Sequence, residues 1–563
     1  MKPIIYQVFP RTFINYNETR KPNGSIEENG CGKFAEITPK ALQAIQDLGA
    51  THVWYTGVIR HATAKYNHPE ITKGKAGSPY AITDYYDVDP DLATDESKRM
   101  AEFEALIRRT HKQGLKVIID FVPNHVSREY KSACLPKGFK DLGEDDHPDW
   151  AFSPLNNFYY IPGEAFAPSF DIGDYKEYPA KVTGNDCFTS HPGKEDWYET
   201  VKLNYGVFYQ GGGEKQFNPI PSTWLKMMYI LHFWARKGVD AFRVDMAEMV
   251  PVEFWRWLIP NVHTFFPEVE FMGEVYNPLL YRDFIAAGFN YLYDKVGMYD
   301  YLRGVTTKAW SAEGITQHWQ AVDDIRDKMV YFLENHDEQR IASGFFCGSG
   351  RCAEPAMTVA ATLGTNPVLI WAGQELGEKG MDLEGFSGVD GRTSIFDYWG
   401  VKSLQAWANH GKFDGANLSD EQRDLRTFYQ RLLCLARDNK ALNSGQMYDL
   451  EYVQGEGFDR HEQFTFLRKY ENEVLLVVVN FDDKPRDISV TIPEDAFKYL
   501  KQPAFEDAKY TDLLTGEQLV ILDANNKKVK TQPFMPSMPI KMKIDAWTGV
   551  VLQVKDAAKK PKK

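Results

Sequence analysis

Three short apolar segments of this chain each run into an acid: Ala-Phe-Arg-Val-Asp at 241–245, Phe-Met-Gly-Glu-Val at 271–275 and Leu-Glu-Asn-His-Asp at 333–337. Each reads as a strand whose last residues enter a loop. In a (β/α)8 barrel the C-terminal ends of the strands open into one shared cleft, so acids far apart in sequence can meet at a single bond. Asp245, Glu274 and Asp337 are therefore the first candidates for a functional site.

The rest of the chain supplies the other strands of such a barrel. Short apolar runs at 4–8, 52–56, 117–122, 241–245, 269–275, 290–293, 329–333 and 367–372 make eight, and helical patterns separate the early ones. Thr38 is suited to cap a helix that Pro39 opens, and Gly114 and Gly238 are suited to end helices over 97–113 and 223–236. Between 126 and 204 the spacing breaks down into Pro, Gly, Asp and aromatic residues, too long a stretch for a bare loop in a compact barrel. After about residue 440 the helical pattern disappears, and 464–468, 474–481, 487–492 and 550–554 read as strands separated by turns. The expected class is α/β: a TIM barrel from residues 1–125 and 205–440, an inserted small domain at 126–204 after strand 3, and a C-terminal antiparallel β-sandwich at 441–563.

Composition narrows the partners. The 563 residues carry a formal net charge of −13 with no basic stripe through the body of the chain, which argues against nucleic acid or an anionic membrane surface. A neutral substrate suits this balance better. The Lys-rich end at 555–563 reads as a solvated terminus. No run of about 18 apolar residues occurs, and no charged and then apolar leader precedes the first strand, so a soluble cytoplasmic protein is expected. A leader removed beforehand would leave the same start. The six cysteines, at 31, 134, 187, 347, 352 and 434, form no Cys-x-x-Cys pair and are expected to be reduced, incidental thiols. Gly211-Gly-Gly213 lacks the Lys-Ser/Thr signature of a phosphate cradle and reads as a flexible loop.

Five motifs, in order, now carry a resemblance. Asp120-Phe-Val-Pro-Asn-His125, Gly238-Val-Asp-Ala-Phe-Arg-Val-Asp245, Gly273-Glu-Val, Glu334-Asn-His-Asp337 and Gly364-Thr-Asn-Pro-Val-Leu-Ile-Trp-Ala-Gly-Gln-Glu375 together resemble the strand ends of the α-amylase superfamily of retaining α-glycosidases and transglycosidases. The resemblance implies that Asp245 is the nucleophile, Glu274 the acid/base and Asp337 the third acid that grips sugar hydroxyls. It also implies that His125 and His336 bond hydroxyls of the same sugar and that Tyr80 is the platform beneath its ring. Chemistry asks for the same division: a retaining enzyme needs one ionised and one protonated carboxyl about 5 to 5.5 Å apart. Arg243, two residues before Asp245 and so on the same face of its strand, can hold the nucleophile ionised.

Two departures from the pattern matter. Many members hold a structural calcium to which Asn124 would contribute a ligand, but where an acidic ligand is expected this chain has Lys202. An ammonium cannot coordinate a cation and can replace one, so no cofactor or metal is expected. Where amylases acting on long starch often carry Lys-His, this chain has Glu248-Met249, which puts acceptor preference in doubt. The implied function is hydrolysis of α-1,4-glucans or maltooligosaccharides such as maltodextrin or starch fragments, without nucleic acid or membrane partners. The alternatives are transglycosylation or a neopullulanase-like activity on the same scaffold and, outside catalysis, a carbohydrate-binding or scaffold protein.

Overall fold

The computed structural model describes residues 2–523 and 525–558. Eight parallel strands close into a barrel: β1 Ile4–Val8, β2 His52–Tyr55, β3 Lys116–Phe121, β4 Ala241–Val244, β5 Glu270–Gly273, β6 Tyr291–Tyr293, β7 Met329–Phe332 and β8 Val368–Trp371. Neighbours follow chain order and β8 pairs back onto β1, Ile4 opposite Val368, so no edge is left open.

Side chains alternate across this closed sheet. Tyr6, Val53, Val117, Phe242 and Phe271 point outward into the large core shared with the helices. Ile5, Trp54, Ile118, Ala241, Met272, Tyr293, Val330 and Leu369 point inward and form a separate apolar cluster with a member from every strand. Two residues further along the same inward face, the chemistry changes. Gln7, Thr56, Asp120, Arg243 and Glu274 follow Ile5, Trp54, Ile118, Ala241 and Met272, and all are buried. The barrel thus has an apolar plug below and a polar layer at its mouth.

The helices follow from their caps. Thr38 accepts from Ala41 N at 3.3 Å and Pro39 opens the helix Pro39–Asp47. Arg99–Lys112 and Ser222–Arg236 each stop just before a glycine with positive φ, Gly114 at 77° and Gly238 at 96°. Between β3 and Ser222 the chain is mostly irregular, and three two-residue or three-residue ladders hold it. One of them pairs His125–Ser127 with Thr200–Lys202 and so anchors the segment at the mouth of the barrel.

Beyond the helix Asp420–Asp438, a six-stranded and a four-stranded antiparallel sheet face each other across a second core containing Leu476, Val478, Ile488, Val490, Met542 and Leu552. Arg468, buried in the six-stranded sheet, fastens this unit to the barrel. It donates to Leu363 O at 2.7 Å, and to Ala441 O, Leu442 O and Gly445 O at 3.0 Å each.

Two expectations need correction. The helical pattern does not vanish after residue 440: Lys440–Asn443 and Glu494–Tyr499 are helices, too short to display a 3.6-residue period. The cysteines are not all free thiols. Cys347 and Cys352 are paired in a disulfide across the turn Gly350–Ala353, a spacing that a Cys-x-x-Cys search passes over, while Cys31, Cys134, Cys187 and Cys434 are free. No helix among the described residues is long and apolar enough to cross a membrane. Of the basic end, residues 559–563 lie outside the described residues.

Candidate active site

The polar layer is organised around one guanidinium. Arg243 is fully buried, with Nη1 2.8 Å from Asp245 Oδ1 and 3.6 Å from Asp120 Oδ1, and Nη2 2.8 Å from Glu274 Oε2. Its place follows from strand geometry: Arg243 points inward from β4, Asp120 from the adjacent β3, and Asp245 and Glu274 extend β4 and β5 by the same alternation. The guanidinium carbon lies 5.3 to 5.7 Å from the ring centres of Trp54, Tyr80 and Tyr293, which wall it off from water and add attraction at their faces.

One positive charge cannot balance so many acids. Burial drives the Asp245 carboxyl well above its ordinary range; Arg243 opposes this, while Glu274, Asp337 and Asp120 add to it. Burial also pushes Asp120 up to about 6. Asp245 and Asp120 therefore retain protons where isolated carboxyls would be ionised.

Glu274 is held on both oxygens. Oε2 accepts from Met246 N at 2.8 Å, and Oε1 accepts from the Tyr276 hydroxyl at 2.5 Å. Met246 reaches that position with φ 43° and ψ 43°, a left-handed conformation that a side chain other than glycine adopts at a cost of about 1 kcal/mol or more. Glu248 secures the other side: its Oε2 accepts from Tyr276 N at 3.1 Å and Asn277 N at 2.9 Å. The carboxylate that departs from the Lys-His pattern thus clamps the loop behind Glu274.

The remaining candidates converge on the same space. His336 contacts Gln7 Nε2 through Nδ1 at 2.9 Å, hydrogen-bonds the Tyr80 hydroxyl through Nε2, and lies 3.1 Å from Asp337 Oδ2. Tyr80 and His336 are tilted face to face at 5.3 Å. His125 packs against Trp197 at 5.2 Å. Burial keeps both imidazoles neutral, pushing His125 down to about 3 and His336 well below its ordinary value. A cavity of ≈350 Å³ joins Tyr80, His125, Trp197, Asp245, Glu274 and Asp337, at the lower end of small-molecule sites. Clefts of ≈790 and ≈910 Å³ elsewhere are larger; the first is lined by Asp47, Glu270 and Asp438 and the second by Glu104, and neither reaches the polar layer at the barrel mouth.

All seven residues singled out in the sequence thus gather here: Tyr80, His125, Asp245, Glu274 and Asp337 line the cavity, while His336 stands behind Tyr80 and Arg243 beneath the acids. Sequence reasoning passed over Tyr276, Met246 and Asp120. Tyr276 stands two residues after Glu274, so the alternation that paired Arg243 with Asp245 would have found it. Asp120 opens a quoted motif and faces inward on β3.

Residues 7–440 match the family model described as alpha amylase, catalytic domain. The chain belongs to the alpha-amylase family. Among its relatives, alpha-amylase 3 of Dictyoglomus thermophilum is 25% identical over 514 residues, covering 85% of this chain and 84% of that protein. Oligo-1,6-glucosidase IMA3 of Saccharomyces cerevisiae is 23% identical over 593 residues, covering 88% and 92%. The alpha-amylase of Geobacillus thermoleovorans, solved in complex with acarbose, superposes with a TM-score of 0.64 at 17% identity over 99% of both chains, a likeness of fold. The chain is an alpha-amylase family glycosidase.

The place of that family's calcium is taken differently here. Lys202 is 2% exposed, and its ammonium donates to Asn124 Oδ1 at 2.8 Å and lies 2.6 Å from Asp186 Oδ1. Asn124 Nδ2 donates to Gly184 O at 2.8 Å. The oxygens of Asn124 and Asp186 thus already face a cation that is covalently attached to the chain.

Asp245→Asn should leave the thermal unfolding midpoint unchanged or higher. Burial raises this carboxyl, so ionising it opposes folding as pH rises above the unfolded-state value near 3.9, and a neutral amide removes that opposition. Arg243 keeps Glu274 and Asp120 as partners. A scanning calorimetry midpoint several degrees lower at pH 7 would show instead that the Arg243–Asp245 pair stabilises the fold.

Proposed function

We propose that this glycosidase hydrolyses α-1,4-linked glucans or maltooligosaccharides with retention, through a glycosyl-enzyme on Asp245. The observation that carries the reading is the single guanidinium bonded to Asp245 on one nitrogen and facing Glu274 on the other, each at 2.8 Å. Two carboxyls drawn to one fork can act on the same anomeric carbon, and retention asks that they stand about 5 to 5.5 Å apart.

Asp245 attacks as a carboxylate, oriented by its bond from Arg243. The bond between the anomeric carbon and the leaving oxygen breaks, and that oxygen takes the proton of Glu274. Oε2 of Glu274 accepts from the fixed Met246 amide and faces Arg243, whereas Oε1 is bonded by the Tyr276 hydroxyl, whose proton can rotate away, so Oε1 is assigned the exchange of the proton. Water then gives a proton to Glu274, attacks the anomeric carbon and frees Asp245. Asp337, Tyr80, His125 and His336 are assigned to the sugar itself; as neutral imidazoles the histidines can both donate and accept toward hydroxyls. Binding of acarbose by the Geobacillus thermoleovorans alpha-amylase supports an oligosaccharide of this type as substrate.

Incubation with maltoheptaose and with starch, followed by chromatography, should give shorter products only, and Asp245→Asn should slow their formation at least about 1,000-fold. Longer products would assign the chain to transglycosylation, and full activity of the variant would remove Asp245 from the mechanism.

We also propose that the site built by Asn124 and Lys202 works without calcium. Metal analysis should find no stoichiometric calcium, and a chelator should leave the melting temperature unchanged. One tightly bound calcium with Asn124 among its ligands would contradict this.

A further inference from the structure

Lys73 and Glu199 line the same cavity but have no part in the scheme above. They come from different segments: Lys73 from the loop after β2, Glu199 from the inserted segment just before Thr200–Lys202. Lys73 Nζ lies 3.2 Å from Glu199 Oε2, with the side chains 14% and 5% exposed. Apart from this ion pair, Glu199 Oε2 is buried and accepts no hydrogen bond.

The wall that carries the pair is tied together by hydrogen bonds. Ala76 N donates to Phe396 O at 3.0 Å, which locks the loop after β2 onto the loop after β8. Arg11, 1% exposed, secures the same joint by donating to Ala76 O at 2.9 Å, Ile395 O at 2.8 Å and Gly77 O at 3.3 Å. The loops approach so closely that a Cβ at Gly74 would lie 2.3 Å from Phe396 O. On the other side, Arg128 N donates to Glu199 O at 3.0 Å and Arg128 Nε to Tyr198 O at 2.6 Å. The Lys73–Glu199 pair joins the loop after β2 to the inserted segment, so the three segments are linked along this side of the cavity in a row that can serve as a barrier.

We propose that this barrier ends the substrate channel, so that the enzyme acts only on the non-reducing end of a glucan chain, with Lys73 and Glu199 reading the hydroxyls of its terminal sugar. The proposal rests on the assignment of Asp245 and Glu274 as the reacting acids. A sugar in the cavity presents its anomeric carbon to Asp245, and the rest of the chain leaves through the bond to be broken. Its far side, the non-reducing side, meets the barrier. The pair is chemically suited to a chain end. A free hydroxyl can accept from the Lys73 ammonium and donate to the Glu199 carboxylate, whereas a glycosidic oxygen within a chain can only accept and so meets only half of the pair. The ≈350 Å³ of the cavity agrees with a short terminal unit rather than an extended chain.

The test compares maltoheptaose with maltoheptaose whose non-reducing sugar is capped by a 4,6-O-ethylidene group, products being followed by chromatography. Glucose and maltohexaose should appear first from the uncapped chain, and the capped chain should react at least about 100-fold more slowly. Glu199→Gln and Lys73→Met should each raise KM for the uncapped chain and narrow the ratio between the two substrates. Equal cleavage of both, or mid-chain products from the start, would overturn the barrier while leaving the hydrolytic reading intact. Failure of the folded enzyme to cleave either would remove that reading and the proposal together.

Discussion

The mouth of this barrel depends on one buried cation. Several carboxyls drawn into a water-poor space would each carry a desolvation penalty of several kcal/mol if ionised. Arg243 makes their assembly possible because its planar fork offers separate nitrogens to Asp245 and Glu274 and a longer contact to Asp120. It compensates only in part, and the residual strain appears as raised carboxyls rather than as a loosened fold. The apolar cluster beneath, from Ile5 to Leu369, fixes the strands from which these groups project.

Much of this was legible in the sequence because it follows from alternation. Short apolar runs marked all eight barrel strands, and a period of two placed Arg243 with Asp245 on the inward face. Lys202 was legible as a mismatch between the charge of a residue and the ligand its motif calls for. What escaped was set by geometry that no local pattern encodes. The role of Glu248 depends on where the chain turns after β5 to present the amides of Tyr276 and Asn277. The left-handed turn at Met246 carries no glycine to announce it. The Lys73–Glu199 bridge joins the loop after β2 to the inserted segment, more than a hundred residues apart, and the Cys347–Cys352 pairing depends on a turn too short to leave a period.

The structure also divides labour between parts. The barrel supplies fixed reacting groups, while the inserted segment and the loops after β2 and β8 supply the walls around them. Relatives of this chain named amylase and oligo-1,6-glucosidase share the barrel at about one-quarter identity. Differences in what each accepts can therefore reside in such walls, where a few residues decide how much of a chain can enter. The C-terminal sheets stand apart from the cavity, joined to the barrel through the carbonyls that Arg468 gathers.

The central claim is that Asp245 forms a covalent bond to sugar, and it can be observed directly. Incubation with 5-fluoro-α-glucosyl fluoride, which forms a glycosyl-enzyme faster than it is hydrolysed, followed by proteolysis and mass spectrometry, should place one fluoroglucosyl group on the peptide that contains Asp245. A label on another acid, or inactivation without any covalent adduct, would contradict the account.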